Sequence, residues 1–197
     1  MLCPWYTSVP LSRRPRSGTS SRVVKTASGT YTVGALVQAN YGDRALFRVD
    51  GVPVGREIGP EHTPLRSTQA GSAGSIIVVV ATDAPLVAGQ CKRLARRATV
   101  GLGRVGGNGS GDIFIAFATG NHVPIEPSGL YDLRMLPNAQ MNPLFEAVPD
   151  AVEEAILNAL TAAETMTGWE GHMAHALPLD ELQRVMARYR PQGETPA

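Results

Sequence analysis

The sequence predicts an α/β fold built in layers, and three observations carry that prediction. Short runs rich in valine, isoleucine and aromatic residues alternate with longer stretches of helical periodicity. Hydrophobic residues make up 43% of the chain, which supports a packed core even though 21 glycines and 15 prolines make it turn-rich. The 197 residues suffice for one ordinary domain, and no internal repeat divides them.

Taken in order, residues 1–21 read as an irregular tail. They carry Pro4, Pro10 and Pro15, then Arg13, Arg14 and Arg16, and lack the apolar stretch of a signal peptide. Tyr31–Asn40 predicts a strand that ends in the turn signal Asn40-Tyr41-Gly42. Ala45–Asp50 predicts a short second strand stopped by Asp50-Gly51. Gly55–Gly74 has no periodicity and reads as a long loop. Ser75–Ala81 is a continuous apolar run, the pattern of a strand buried on both faces.

Asp83 and Pro85 then mark a helix entry, with the helix over Leu86–Ala98. Its Lys92, Arg93, Arg96 and Arg97 read as a solvated face. Asp112–Thr119 predicts another buried strand. Asp150–Thr165 predicts a long helix, with Asp150 and Glu153 at capping-box spacing. Leu179–Tyr189 predicts a last helix before a polar tail.

Eighteen basic residues against 17 acidic ones give a net charge of +1, which argues against a nucleic-acid partner. No run approaches a membrane span. Cys3 and Cys91 cannot build a disulfide framework, so a cytoplasmic location is the simplest expectation.

The segment Gly101–Gly111, GLGRVGGNGSG, is the densest chemical signal. It lacks the lysine that a phosphate loop needs. It follows a helix and opens a strand, the reverse of a dinucleotide fingerprint. Its serine spacing fails the nucleophile-elbow pattern. Two readings stay open: a plain glycine-rich loop, or self-cleavage at Gly109-Ser110. For the second, Gly109 gives an unhindered peptide bond, Ser110 attacks it, and Gly111 permits a tight geometry before a rigid strand. The freed α-amine, titrating at about pH 7.7–8.0, would then serve as base for its own hydroxyl.

Several blocks add a resemblance to this. GLGRVGGNGSGDIFIAFATGN resembles the DmpA-type L-aminopeptidase/D-esterase family, also called β-peptidyl aminopeptidases, and so do YTVGALVQANYG, RVDGVPVGRE, GSIIVVVATDAPL, RLARRA, EEAILNAL and ALPLDEL, in the expected order. The match runs from about Gly18 to Arg188. The resemblance implies an α/β/β/α sandwich similar to N-terminal-nucleophile hydrolases and ornithine acetyltransferases. It implies no metal or organic cofactor. It also implies a chain that cuts itself before Ser110, so that residues 22–109 and 110–197 become two parts of one domain.

On that basis Ser110 is the expected nucleophile, Asn40 the oxyanion-hole donor and Glu153 the acidic residue near the nucleophile's amine. Asn40 also fits as a turn former and Glu153 as a helix-cap partner. Glu154 takes the acidic role if the motif is read one residue later. The expected substrates are short peptides, amino-acid amides or esters, and the expected assembly is a homo-oligomer of processed pairs. Two departures stand out. Ala151 occupies a position where family members can carry a serine, and the resemblance starts well inside the family's α-chain, an N-terminally incomplete pattern. Missing strands would leave sheet edges and apolar faces uncovered. Two alternatives follow: an inactive remnant with a structural or interaction role, or an acyltransferase of the same architecture.

Glu170, His172 and His175 make an incomplete zinc pattern and read as surface residues. His62 and His122 fall in loops, and Cys91 reads as a packed helix cysteine whose pKa nearby arginines could lower.

Overall fold

A computed structural model describes residues 17–40, 42, 44–59, 61–62, 75–103, 111–126, 129–168, 171 and 173–190. Its centre is a mixed four-stranded sheet. Strand β1 (Ser17–Thr26) turns tightly into β2 (Gly29–Asn40), and the two pair antiparallel from Ser17↔Gln38 to Thr26↔Gly29. β2 pairs antiparallel with β3 (Ser75–Thr82), and β3 pairs parallel with β4 (Ile113–Ala118). A parallel pair needs a crossover, which is helix α2 (Ala88–Gly101). The long helix α3 (Asn142–Thr161) lies beside α2 and across β1 and β2.

Alternation along the strands decides which face these helices cover. Val33, Ala35, Val37 and Ala39 of β2 and Ile76, Val78 and Val80 of β3 are buried, while their odd–even neighbours are not. The buried set meets Leu94 and Ala98 of α2 and Val148, Val152 and Ala155 of α3 in one core. Elements on both sides of position 110 thus share that core. β1 reaches α3 so closely that a Cβ on Gly18 would lie 1.9 Å from the Ala155 carbonyl oxygen. Glycine is what permits that approach. The opposite face of the sheet has no helix on it among the described residues.

Smaller elements complete the chain. A single turn α1 (Val54–Glu57) precedes β3, and a short ribbon pairs β5 (Met166–Thr167) with β6 (Met173–Ala174). Helix α4 (Leu179–Tyr189) buries Val185 and ties to α1 through Tyr189 Oη donating to Glu57 at 2.6 Å and Arg188 at 3.2 Å from Glu57. Its limits are those the sequence predicts.

Several expectations need correction. The first strand begins at Ser17, inside the stretch read as irregular tail. Ala45–Asp50 is not a strand: Arg44–Leu46 is a 3-10 turn, and only Val49 and Val52 bridge, around Asp50 and Gly51 at φ 50° and 80°. Those two positive φ angles make a tight turn, and no strand among the described residues extends it.

Asp83 does not cap α2. Its Oδ1 accepts the Thr32 N–H at 2.7 Å, and α2 starts five residues later with Gln90 Oε1 accepting the Val87 N–H at 3.3 Å. α3 begins at Asn142, so Pro149 lies inside it and no capping box forms at Asp150 and Glu153. The helix continues past the proline because Leu144, Val148 and Val152 bury one continuous face. β4 is not buried on both faces, since Ile113, Ile115 and Phe117 are exposed.

Candidate active site

The topology gathers three strand ends at one edge of the sheet. β2 ends at Asn40, β3 starts at Ser75 and β4 starts at Ile113. Antiparallel pairing sets Asn40 directly opposite Ser75, and parallel pairing sets Ile77 opposite Ile113. The Ser75 hydroxyl accepts the backbone N–H of Gly111 at 3.3 Å, so the chain leading into β4 is tied to the start of β3. Gly111 directly follows Ser110. Ser110 and Gly109 themselves lie outside the described residues, as does the rest of residues 104–110.

Asn40 carries an electrostatic signature. Its side-chain oxygen Oδ1 is buried and has no hydrogen-bond partner among the described residues. Leaving a buried carbonyl unpaired costs about 1–3 kcal/mol, and such groups concentrate where function needs them. A plain turn-forming asparagine would spend that oxygen on a backbone N–H, a bond absent among the described residues.

Glu153 sits elsewhere. It projects from α3 on the helix-covered side of the sheet, while the strand alternation places Asn40 on the open side. Glu153 lines a cavity of about 530 Å³ with Arg48, Phe47, Leu102 and Gly103, the last of these being the last described residue before the segment that carries Ser110. The described contacts therefore join Asn40 to the start of β4 and leave Glu153 apart from both.

Glu154 is committed to the fold. Its carboxylate accepts the Ser20 hydroxyl at 2.7 Å and pairs with Arg22, clamping β1 to α3. The Ser20 hydrogen bond first, and then Arg22, hold this carboxyl below the usual glutamate range. Of the two glutamates, Glu154 is thus engaged by Ser20 and Arg22, while Glu153 lines the cavity. Ala151 is fully buried in the α3 core, so no side chain reaches outward from that position.

The discounted residues fare as follows. Among the described residues no three metal-binding side chains cluster, and Glu170 and His172 lie outside them. His62 stands 3.6 Å from Glu61 on the surface. Burial pushes the Cys91 thiol up rather than the arginines drawing it down. Arg93 and Arg97 instead stack on the Phe145 ring at 4.8 and 4.7 Å.

Ser75 is the site residue that sequence reasoning missed. It opens an apolar run, which hid it, and its pairing with Asn40 depends on a connection whose length gives no register.

A mixed four-stranded sheet with its described helices on one side defines the class of the fold, a layered α/β protein. Comparison with known proteins gives the family. The model of Peptidase family S58 matches residues 16–174, and the chain belongs to that family. It is 46% identical over 188 residues to the β-peptidyl aminopeptidase BapA of Sphingosinicella microcystinivorans, covering 88% of this chain and 48% of that protein. The fold is similar to that of the L-aminopeptidase D-Ala-esterase/amidase from Ochrobactrum anthropi, described as a variant of the Ntn hydrolase fold: TM-score 0.77, 42% identity, 89% of this chain and 48% of that one. A Burkholderia β-aminopeptidase gives a TM-score of 0.76 at 40% identity, over 98% of this chain and 52% of its own. The chain thus spans about half the length of the relatives it matches. No helix among the described residues is long and apolar enough to cross a membrane.

Proposed function

We propose that this chain carries the nucleophile of a self-processing serine aminopeptidase. The enzyme releases the N-terminal residue of short peptides, amino-acid amides or esters through an acyl-enzyme on Ser110. The observation that carries this reading is the tie between Asn40, Ser75 and Gly111 at one sheet edge. It holds the residue after Ser110 near a half-buried asparagine whose Oδ1 is buried without a partner among the described residues.

In the first step, Ser110 Oγ attacks the Gly109 carbonyl carbon. The peptide C–N bond breaks, an ester forms, and the nitrogen becomes the Ser110 α-amine. Water then hydrolyses the ester and divides the chain between Gly109 and Ser110. In turnover the neutral α-amine takes the Oγ proton as Oγ attacks the substrate carbonyl. The Asn40 Nδ2–H donates to the oxyanion, a task worth about 3–4 kcal/mol. The α-amine returns the proton to the leaving group, and water releases the acyl product. Glu153 lines the cavity that also touches Gly103, and its part as the carboxylate that meets the new ammonium group or a substrate amine rests on the family resemblance. The processed pairs act in the cytoplasm as a homo-oligomer.

A second reading has its own observation. The open face of the sheet and the half-length match favour a chain that is inactive until completed. Purification of the folded protein beside a Ser110→Ala variant, followed by intact mass under denaturing conditions, separates the two. Splitting between residues 109 and 110 in the wild type alone supports the enzyme. An uncut, folded wild type supports the inactive chain.

A further inference from the structure

Three arginines converge on one small cleft where the exposed stripe of α2 meets α3. Arg93, Arg96, Arg97 and Val100 line it from the i, i+3, i+4 and i+7 positions of α2, and Phe145 of α3 closes it. The cleft measures about 280 Å³. The Phe145 ring orders two of the guanidinium groups, with Arg93 at 4.8 Å and Arg97 at 4.7 Å from its centroid. Arg93 Nη1 also donates to Asn138 Oδ1 at 2.8 Å. A stacked guanidinium keeps its N–H groups in its own plane, free to bind at the edge. Among the described residues no carboxylate forms an ion pair with Arg93, Arg96 or Arg97; those of Asp50, Glu57, Glu154, Asp180 and Glu181 hold arginines elsewhere. Glu146, next to Phe145, is exposed and does not line the cleft. Compensation of the helix dipole does not account for the arginines, because the last turn of α2 holds no basic residue.

Like charges that face one cleft repel one another until an anion joins them. The donors indicate which anion. A carboxylate presents two oxygens in a plane, which a single guanidinium fork satisfies. A phosphate group presents three acceptor oxygens and close to two charges, so it accepts from several guanidinium groups at once. The cleft is smaller than an ordinary organic-ligand pocket and its apolar lining is Val100 and Phe145, so the ligand is compact. A net charge of +1, with these arginines confined to one stripe, offers no track for a nucleic-acid backbone. We propose that this cleft binds a compact phosphate-bearing ligand, free or carried as a lipid headgroup, through Arg93, Arg96 and Arg97. The site belongs to the helix layer, whereas strand alternation places Asn40 on the open side of the sheet, so the proposal does not rest on the catalytic reading.

The test titrates inorganic pyrophosphate into the full chain by calorimetry, with ionic strength held constant by sodium chloride. One-to-one binding with a Kd of about 0.1 mM or tighter is the expected result, together with a raised Tm, because the ligand favours the folded state. Arg96→Gln changes an exposed side chain with no hydrogen-bond partner among the described residues, so circular dichroism should stay unchanged. It should weaken binding about tenfold or more, and Arg97→Lys, which keeps the charge but loses the planar fork, should weaken it too. Arg56→Gln, at an exposed arginine of α1 outside the cleft, should bind as the wild type does. Sedimentation with phosphatidylcholine vesicles, with and without phosphatidic acid, then assigns the source. Retention only with phosphatidic acid makes the ligand a headgroup, and pyrophosphate binding without retention makes it a free molecule. Three results overturn the proposal: a folded wild type with no saturable binding up to about 5 mM pyrophosphate, an Arg96→Gln variant that binds as tightly as the wild type, or malonate bound as tightly as pyrophosphate.

Discussion

Asn40 stands directly opposite Ser75 across the β2–β3 ladder, and the Ser75 hydroxyl holds the Gly111 N–H at 3.3 Å. Three residues far apart in sequence thus share one sheet edge because β2 runs antiparallel to β3 and β4 parallel to it. Gly111, two residues ahead of β4, is fixed from the side by a hydroxyl group, and the residue before Gly111 is the candidate nucleophile.

Removing that hydroxyl should loosen the start of β4. Ser75→Ala is expected to cost about 0.5–1.5 kcal/mol, the ordinary worth of one hydrogen bond. It should also speed amide exchange at Gly111 and slow cleavage before Ser110, whereas Ser75→Thr keeps the acceptor and should preserve both. Unchanged exchange at Gly111 in Ser75→Ala would remove Ser75 from the site.

Asn40→Ala should separate catalysis from stability. Loss of the oxyanion donor predicts a fall of about 10²–10³-fold in kcat. Its Oδ1 is unpaired in the fold, so removal should leave Tm within a few degrees or raise it. Thermal unfolding and amide-hydrolysis assays on the same preparation check both halves of the statement.

Gly18→Ala tests the close approach of β1 to α3. The added Cβ meets the Ala155 carbonyl, a backbone atom that cannot swing aside. Destabilisation of about 1–3 kcal/mol, the usual range for overpacking, is expected from denaturant titration.

The Glu154 clamp makes stability depend on pH. The carboxyl pKa is lowered in the folded state relative to its ordinary value. A depressed carboxylate pKa contributes stability that is fully present above the unfolded-state pKa and is lost as pH falls through the folded one. Unfolding curves for Glu154→Gln should therefore converge on the wild type in acid and diverge from it above the ordinary glutamate range. The group is exposed enough that the effect should shrink in high salt.

The sequence makes the sheet and its final helix legible for local reasons. Ser75–Ala81 and Leu179–Tyr189 announce themselves through a continuous β-branched run and a clean 3.6 period. Asn40 and Glu153 come from the family resemblance. What stays hidden depends on distant partners. Asp83 looks like a helix cap but binds Thr32 across the sheet, and Pro149 looks like a boundary but lies inside a helix held by its buried face. The apolar character of Asp112–Thr119 marks the strand, but not its burial, since Ile113, Ile115 and Phe117 are exposed. Ser75 could not be paired with Asn40 from sequence, because the 34 intervening residues carry no register signal.

Ser110 as a self-activating nucleophile is the central claim, and intact mass tests it most directly. The wild type and Ser110→Ala are purified together, shown to be folded by circular dichroism, denatured and weighed. The expected result is two pieces for the wild type, residues 1–109 and 110–197, and one uncut chain for the variant. A folded wild type that stays whole after prolonged incubation would contradict the claim, as would a variant that splits at the same bond.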